Sequence, residues 1–214
     1  MAHLHQLLQE VALTVRPHRA WMTWNLLLAF VPAVLAVLLF APPHRRRLGW
    51  WLGVAAFVVT LPNAPYVVTD LVHLRHSVTI ASSDGVVLGV VLPLYAGFVL
   101  AGFLAYLLCT ELVLREVRTV RPHARRWVVE GVLHVTSTVG ILIGRIARLN
   151  SWDTVTDPAN TLEQTFQTLT WRWAPVAFVL VLAAVWTTHL VVRTLVEASA
   201  AAGRSTWRAV TSGP

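Results

Sequence analysis

The sequence contains no lysine and few charged residues of any kind. All 17 of its basic residues are arginine, and charged residues make up 13% of the 214-residue chain. A soluble domain carries about 25% charged residues, whereas this chain is 56% hydrophobic. We therefore expect an integral membrane protein, and we interpret the absence of lysine as codon bias in a GC-rich bacterial genome.

Cysteine is almost as scarce. The single cysteine, Cys109, lies at the end of an apolar run, so no intrachain disulfide can form. The GxSxG, P-loop, HExxH and dinucleotide-binding motifs are absent from the sequence, which leaves nucleotide-dependent and redox enzymes of familiar type without support. The net charge of +7 does not predict nucleic-acid binding, because the arginines cluster between apolar runs as topology determinants do.

Long apolar runs separated by arginine-rich connections predict an all-α, polytopic transmembrane helical bundle of about five spans. The runs lie near residues 24–41, 50–61, 85–109, 127–148 and 173–192. Two further segments, near 3–15 and 160–171, have the spacing of amphipathic helices that lie at the membrane surface. We expect Asn160 and Glu163 to form the capping box that opens the second of these helices.

Arginine counts on the two sides of the predicted bundle give its orientation. With five spans, the side that carries the third connection and the C-terminal tail holds eleven arginines, and the other side holds six. The positive-inside rule places the eleven-arginine side in the cytoplasm. We therefore expect a multi-pass protein of the cell membrane with a cytoplasmic C-terminus, organised as an amphipathic segment (1–23), the bundle (24–193) and a polar tail (194–214).

The second apolar run is interrupted by a Pro-Asn-Ala-Pro sequence at 62–65. We expect the second helix to be broken there and a new helix to begin, because asparagine is a good N-cap and proline is tolerated in a first turn. The new helix would align four polar residues along one face: Asn63, Tyr66, Asp70 and His73. Because ionisable groups survive at membrane depth only where protein or a water-filled cavity shelters them, the stripe predicts a site. In the alternative interpretation, the aspartate and the histidine already lie in an aqueous loop and merely end the helix.

A second polar constellation closes the fourth run. Arg145 and Arg148 are three residues apart, so they share a helix face, and they lie on the side where arginine should be scarce. Polar and aromatic residues follow just past the helix end: Asn150, Ser151, Trp152 and Asp153. Gly140 and Gly144 form a GxxxG pattern, which lets a neighbouring helix approach closely. The alternative for the two arginines is a C-terminal turn stabilised by the helix dipole.

Two sets of polar residues inside the runs have less specific patterns. Glu130 and His134 are four residues apart, a spacing that suits a metal, but two ligands are too few. We expect instead a hydrogen-bonded pair in the core or near a loop. His189 and the neighbouring Thr187 and Thr188 are expected to form hydrogen bonds between helices.

Three segments resemble the domain-of-unknown-function 1361 family of bacterial membrane proteins. They are WNLLLAFVP at 24–32, LPNAPYVVTDLVHL at 61–74 and GRIARLNSWD at 144–153. The resemblance extends over about residues 24–190 and implies a polytopic membrane protein without an assigned activity. By this resemblance one family signature is matched by Asn63, Pro65, Tyr66, Asp70 and His73, and the other by Gly144, Arg145, Arg148, Asn150, Ser151, Trp152 and Asp153.

We favour an outward-facing polar site that binds a phosphate or a lipid headgroup. Arg145 and Arg148 would hold the anion by charge-assisted hydrogen bonds. If the protein is an enzyme, which the sequence leaves open, Asp70 would orient His73 as a general acid or base. No cofactor is expected, although carboxylate and imidazole would suit a divalent metal held by Asp70, His73 and Asp153.

Two other functions remain open. The broken second helix is typical of small transporters and channels, although the break has no counterpart in another half of the chain. A structural or assembly partner is the other alternative, with Asp70 forming an ion pair with Arg145 or Arg148 that locks the bundle. The partners expected in all three cases are the lipid bilayer and, in the first, a lipid headgroup or small anion.

Overall fold

The computed structural model describes residues 2–41, 47–81, 83–147, 149 and 152–211. All regular structure in these ranges is helical. Five helical stretches of the described chain are long and apolar enough to cross a membrane, namely His18–Phe40, Leu48–Thr79, Asp84–Val120, Arg126–Ala147 and Ala174–Ser205. The predicted all-α bundle of about five spans is therefore confirmed.

The first and last helices are longer than the spans they contain. Helix α1 extends over Ala2–Phe40, so the segment 3–15, predicted as a separate interfacial helix, is continuous with the first span. At the other end of the chain, α10 (Ala174–Thr211) continues through most of the predicted polar tail. A run of alanines near residue 200 explains this continuation, because alanine has the highest helix propensity.

The second span is one helical stretch whose hydrogen bonding changes along its length. It consists of α2 (Leu48–Thr60), α3 (Asn63–Tyr66), a 3₁₀ turn (Val67–Leu71) and α4 (Val72–Ile80). The residues that join these pieces all have right-handed helical dihedral angles. The break predicted at 62–65 is therefore a change of helix geometry, caused by two prolines that lack an N–H donor, and the chain does not reverse there.

The prediction that Asn63 caps a new helix is wrong. Asn63 is itself the first residue of α3, and no side chain caps this helix at Pro62. Because the chain enters α3 already helical, the first N–H groups find acceptors in the preceding turn. Ala64 N–H donates to the Leu61 carbonyl at 3.2 Å, and Tyr66 N–H donates to the Pro62 carbonyl at 3.1 Å.

The remaining helices complete the bundle and the connection between its fourth and fifth spans. They are α5 (Asp84–Val86), a π-helical turn (Val87–Val91), α6 (Leu92–Val120), α7 (Arg126–Leu142), a second π-helical turn (Ile143–Ala147), α8 (Asp153–Thr156) and α9 (Pro158–Thr170). The capping box predicted at Asn160 and Glu163 is wrong. The Asp157 carboxylate caps α9 by accepting from Asn160 N–H at 3.2 Å, since Pro158 already occupies the first helical position.

Helix α3 lies at the centre of the bundle. Leu61, Ala64 and Val67 are completely buried. Two glycines allow neighbouring helices to approach them: a Cβ at Gly102 of α6 would crowd the Val67 side chain, and a Cβ at Gly140 of α7 would overlap the Pro62 ring. The close approach predicted from the GxxxG pattern is confirmed, and the neighbouring segment is the Pro-Asn-Ala-Pro sequence itself.

Candidate functional site

A cavity of about 760 Å³ lies among α1, α2, α3, α7 and α9. Its volume is within the range of roughly 300–1,000 Å³ that is typical of ligand pockets. The three segments at 24–32, 61–74 and 144–153 all contribute to its wall, through Trp24 and Asn25, Asn63 and Tyr66, and Arg145 and Trp152 respectively. Part of each predicted polar set, Asn63 and Tyr66 of the first and Arg145 and Trp152 of the second, therefore lines the same cavity.

The contact between α3 and α7 explains why the constellations meet. At Gly144 a Cβ would lie 3.3 Å from Cε2 of Tyr66, so the tyrosine ring occupies the space that a larger residue would fill. The next residue, Arg145, places its guanidinium carbon 4.8 Å from the centroid of the same ring. This is the geometry of a cation–π contact. The glycine pattern of α7 thus seats the tyrosine of one signature beside the arginine of the other.

A buried ion pair anchors this arginine. Asp70 is 1% exposed, and its Oδ1 accepts from Arg145 Nη2 at 2.5 Å. Its Oδ2 accepts from Asn25 Nδ2 at 2.8 Å, and Arg145 Nε donates to the Thr69 hydroxyl at 2.9 Å. Both carboxylate oxygens therefore have partners, as a buried charge requires. The ion pair joins the second and fourth spans, and the asparagine adds the first.

The His73 ring is not one of the hydrogen-bond partners of Asp70. The histidine side chain is exposed and its ring centroid is 5.2 Å from that of Trp21, while Asp70 is held by Arg145 and Asn25. The 3₁₀ turn between Tyr66 and His73 removes the alignment of these two residues that a continuous α-helix would give. A 3₁₀ helix has 3.0 residues per turn instead of 3.6, so five such residues rotate the face by about 100° relative to an α-helix.

The other predicted residues are distributed as follows. Asp153 lies half-buried at the start of α8, beside Trp152, which is on the cavity wall. Arg148, Asn150 and Ser151 lie outside the described residues. Within the described ranges, no three His, Cys, Asp or Glu side chains form a group that could hold a metal.

Several residues on or near the cavity wall were not predicted from the sequence. Asn25 is one, although it is the polar residue of the first apolar run, and Thr69 is another. Helix α9 adds Thr161 and Thr165, whose spacing of four residues places them on one helix face. The apolar side chains of the same helix, Leu162 and Phe166, are about 70% exposed and face away from the protein. The four-residue spacing of these two threonines, next to the apolar face of α9, is the sequence signal from which their position could have been predicted.

The cavity wall carries little net charge. Arg145 is the one charged side chain among the described wall residues, and Asp70 balances it from behind. The remaining polar groups are neutral donors and acceptors, including Asn63, Tyr66 and the α9 threonines. This arrangement suits the binding of a polar or singly charged group, because a ligand can accept hydrogen bonds from several directions without facing a large excess of positive charge.

A second buried ionic cluster surrounds the other half of α7. Glu130 is 6% exposed, and both of its oxygens accept from Arg193 Nη1, at 2.8 and 3.0 Å. Arg126 donates to Glu130 at 3.3 Å and also pairs with Glu111 of α6. The cluster ties α6, α7 and α10 together.

The predicted pair of Glu130 and His134 does not form. The glutamate is bound by arginines, and His134 Nδ1 instead lies 2.8 Å from the Tyr106 hydroxyl. The hydrogen bond expected between helices at Thr187 is not formed, because its hydroxyl donates to the Ala183 carbonyl of its own helix at 2.7 Å. His189 does approach another helix, since its Nε2 lies 3.5 Å from Glu130 Oε1.

Comparison with known proteins gives a family and no characterised relative. The model of the family described as protein of unknown function (DUF1361) matches residues 24–188. No curated protein and no solved structure matches the chain. The matched range contains all three segments that line the cavity, and it contains Glu111, Arg126 and Glu130 of the ionic cluster but not Arg193.

Proposed function

The chain belongs to the family of proteins of unknown function DUF1361, and on that premise we propose that it is an integral membrane protein that binds a phospholipid headgroup in its cavity. One observation carries the proposal. Three segments that are distant in sequence line a single cavity of about 760 Å³, and Arg145 is the charged group on its described wall. A cationic donor beside neutral hydroxyl and amide groups is a suitable partner for a phosphodiester.

The ion pair with Asp70 favours a particular charge on the ligand. Because Asp70 already neutralises Arg145, a free phosphate dianion would add two negative charges to a site of zero net charge. A phosphodiester adds only one, and Asn63 and Tyr66 provide neutral polar contacts. A phospholipid and a free phosphate both offer phosphoryl oxygens to the site. The charge balance favours the lipid over free phosphate.

The rest of the cavity wall suits the apolar part of a lipid. Its apolar side chains include Leu28, Val58 and Ile143. Helix α9 closes one side with threonines while exposing Leu162 and Phe166. A helix with this arrangement lies where the bilayer meets water, so a lipid would reach the cavity from within its own leaflet.

The arginine counts support an outward-facing cavity. The five spans place the Asp70–Arg145 pair at the end of the bundle opposite to the connection between α6 and α7. That connection and the C-terminal tail belong to the side that holds eleven arginines. We therefore propose that the cavity lies in the outer leaflet and the C-terminus in the cytoplasm.

A cavity-filling substitution tests lipid binding. Thr165 lines the cavity and Thr170, on the same helix, is exposed. Both hydroxyls donate to the carbonyl four residues back, at 2.7 and 2.8 Å, so the two positions are matched in local structure. We expect Thr165→Trp to lose the phospholipid that copurifies with the wild type in mild detergent, as measured by native mass spectrometry. Thr170→Trp should retain it.

The same experiment separates the sources of the phosphoryl group. Delipidated protein is titrated with phosphatidylglycerol, with phosphatidylethanolamine and with inorganic phosphate. Saturable binding of a phospholipid by the wild type and Thr170→Trp, but not by Thr165→Trp, would support the proposal. Binding of inorganic phosphate but of neither phospholipid would mean that the ligand is a small anion and not a lipid. Equal lipid retention by both tryptophan variants would overturn the assignment of the cavity.

Transport is the second candidate, and one observation favours it. Three spans depart from α-helical geometry at this end of the bundle, in the 3₁₀ turn Val67–Leu71 and in the π-helical turns Val87–Val91 and Ile143–Ala147. Such departures are frequent at functional sites and provide hinges. Proteoliposomes that show lipid binding but no flux of ions or lipid between leaflets would exclude this second candidate.

A catalytic role for Asp70 and His73 stays a prediction. The contacts of Asp70 with Arg145 and Asn25 support an anchoring role for the carboxylate. They give acid–base chemistry less support than binding. Arg148 keeps its predicted role as a second cationic group, and the proposal rests on Arg145.

A further inference from the structure

Two buried histidines lie next to the ionic cluster of Glu130, outside the cavity. His134 of α7 and His189 of α10 are 0% and 2% exposed, and their ring centroids are 4.8 Å apart. Tyr106 of α6 contacts both rings. Three helices therefore enclose a pair of imidazoles within the membrane-spanning part of the bundle.

The hydrogen bonding of these rings is incomplete. His134 Nδ1 is paired with the Tyr106 hydroxyl, which also accepts from Ser137 at 3.2 Å. Within the described chain, His134 Nε2 and both nitrogens of His189 are buried without a hydrogen-bond partner. Because a neutral imidazole always has one donor and one acceptor nitrogen, leaving both unpaired in His189 is unfavourable.

Charged groups of both signs lie beside the pair. Glu130 lies 3.5 Å from His189 Nε2, and the arginines that face it are Arg126 and Arg193. Glu111 and the exposed Glu197 pair with these arginines in turn. The Glu197 side chain is 65% exposed to solvent, so Glu111 and Glu130 balance the two arginines when both imidazoles are neutral. The other titratable group in contact with the pair is Tyr106 of α6, which is uncharged at neutral pH.

We propose that His134 and His189 form an internal proton-binding site, which takes up one proton from solution and holds it as an imidazolium beside Glu130. Uptake converts one neutral ring to a cation and breaks no bond in the protein. The protonated His189 has two N–H donors, one of which lies 3.5 Å from the Glu130 carboxylate and needs only a small shift to bond it.

The proton site and the cavity share helix α7. His134 and the cavity-lining Thr136 are two residues apart on α7, so a change of charge at the pair acts on a helix that also forms the cavity wall. The proton site is independent of the proposed lipid ligand and stands if that ligand is wrong. A series of polar contacts leads to this site from the half-exposed pair of Arg126 and Glu111, through Glu130 to His189.

Histidine ring spectra of the full-length protein test the proposal directly. The chain has nine histidines, and ¹⁵N-histidine labelling in detergent micelles reports the charge and tautomer of each ring. Three histidines of the described chain are buried, namely His18, His134 and His189. They are recognised in the wild type by their protection from a water-soluble paramagnetic agent, and the signal lost in His18→Gln is assigned to His18, which leaves His134 and His189. We expect these two rings to take up one proton between them as the pH falls from about 9 to about 5, the range over which histidine charge is normally tuned.

Variants establish whether the two rings are coupled. In His134→Gln, the transition of His189 should shift by about one pH unit or more, as expected of interacting sites. Glu130→Gln should move the uptake to lower pH, because the carboxylate beside the proton is removed. The matched control is His123→Gln, at an exposed position in the connection between α6 and α7, which should leave both rings unchanged.

Two results would overturn the proposal. The His134 and His189 rings could both stay neutral over the whole range in the wild type, a measurement that needs only His18→Gln to fold. Alternatively, the His189 transition could be unaffected by His134→Gln and by Glu130→Gln. Phospholipid retention is measured on the same samples. A protein that retains lipid but takes up no proton would contradict the proton site alone, and one that takes up a proton but retains no lipid would contradict lipid binding alone.

Discussion

Two buried carboxylates on opposite halves of the bundle have different surroundings. Asp70 has one arginine and one amide as partners, and both Arg145 and Asn25 line a cavity. Glu130 has two arginines, one of which is further paired with Glu111, and no residue of this cluster is on the wall of that cavity. The partners of Asp70 thus border a cavity, whereas Glu130 itself is enclosed by protein.

The separation of the two carboxylates along the bundle explains how it can contain both the cavity beside Asp70 and the ionic cluster around Glu130. Glu130 and Arg145 are fifteen residues apart, which separates them by about 22 Å along α7 and its π-helical turn. The closed cluster joins α6, α7 and α10 and fixes that half of the bundle. The open site can then leave space around Arg145, because the packing that keeps α7 in place is provided elsewhere.

Removal of Glu130 should have the largest effect on stability. Glu130→Leu leaves Arg126 and Arg193 without their shared acceptor, and breaking a buried ion pair from one side costs about 3–5 kcal/mol. We expect a large loss in the free energy of unfolding, measured by denaturant titration in detergent micelles, with phospholipid retention unchanged in the folded fraction. Glu163→Gln is the control, since Glu163 is exposed and should change stability by less than about 0.5 kcal/mol. A stable Glu130→Leu protein would show that the closed cluster does not fix the bundle.

Removal of Arg145 should affect both stability and binding. Arg145→Gln leaves the Asp70 carboxylate buried with only Asn25 as a partner, at a cost of about 3 kcal/mol, since the arginine side chain is a third exposed. The double variant Arg145→Gln, Asp70→Asn removes both charges and should recover most of the stability without recovering phospholipid retention. Recovery of both properties would mean that the ion pair has only a structural role.

The contact between α3 and α7 should be sensitive to a single methyl group. A Cβ at Gly140 would overlap the Pro62 ring, whereas a Cβ at Gly97 of α6 meets open space. Gly140→Ala should therefore destabilise the protein by about 1–3 kcal/mol, as overpacking does. Gly97→Ala should be neutral or slightly stabilising, because alanine is the better helix former. Equal thermal unfolding temperatures for the two variants would contradict the close approach.

The spans could be predicted from the sequence because bilayer thickness sets the length of an apolar run. The change of helix geometry after residue 62 could not. A proline pair predicts that hydrogen bonds are lost, but the tertiary packing around α3 decides whether the chain reverses or continues. The cap of α9 was displaced for a local reason, since Pro158 occupies the first turn and leaves Asp157 as the cap.

The candidate site could be predicted only in its parts. Both signatures were recognised, and arginine counting placed them on one side of the membrane. Their contact depends on Gly140 and Gly144 meeting Pro62 and Tyr66, which no spacing within either segment encodes. The roles of Asn25 and Thr69 depend on partners 45 and 76 residues away, at Asp70 and Arg145. A single polar residue in an apolar run predicts that a partner exists, without identifying it.

Thiol labelling at two adjacent positions of α7 compares the open and the closed side of this helix most directly. Thr136 lines the cavity, and the fully buried Ser137 donates to Tyr106, which contacts the two buried histidines. Thr136→Cys and Ser137→Cys are compared in a Cys109→Ala background after delipidation, using a water-soluble methanethiosulfonate. We predict that the cysteine at 136 reacts rapidly and is protected by added phospholipid, while the cysteine at 137 stays unmodified. Equal labelling of both positions, or no protection at 136, would contradict an open ligand site beside a closed structural one.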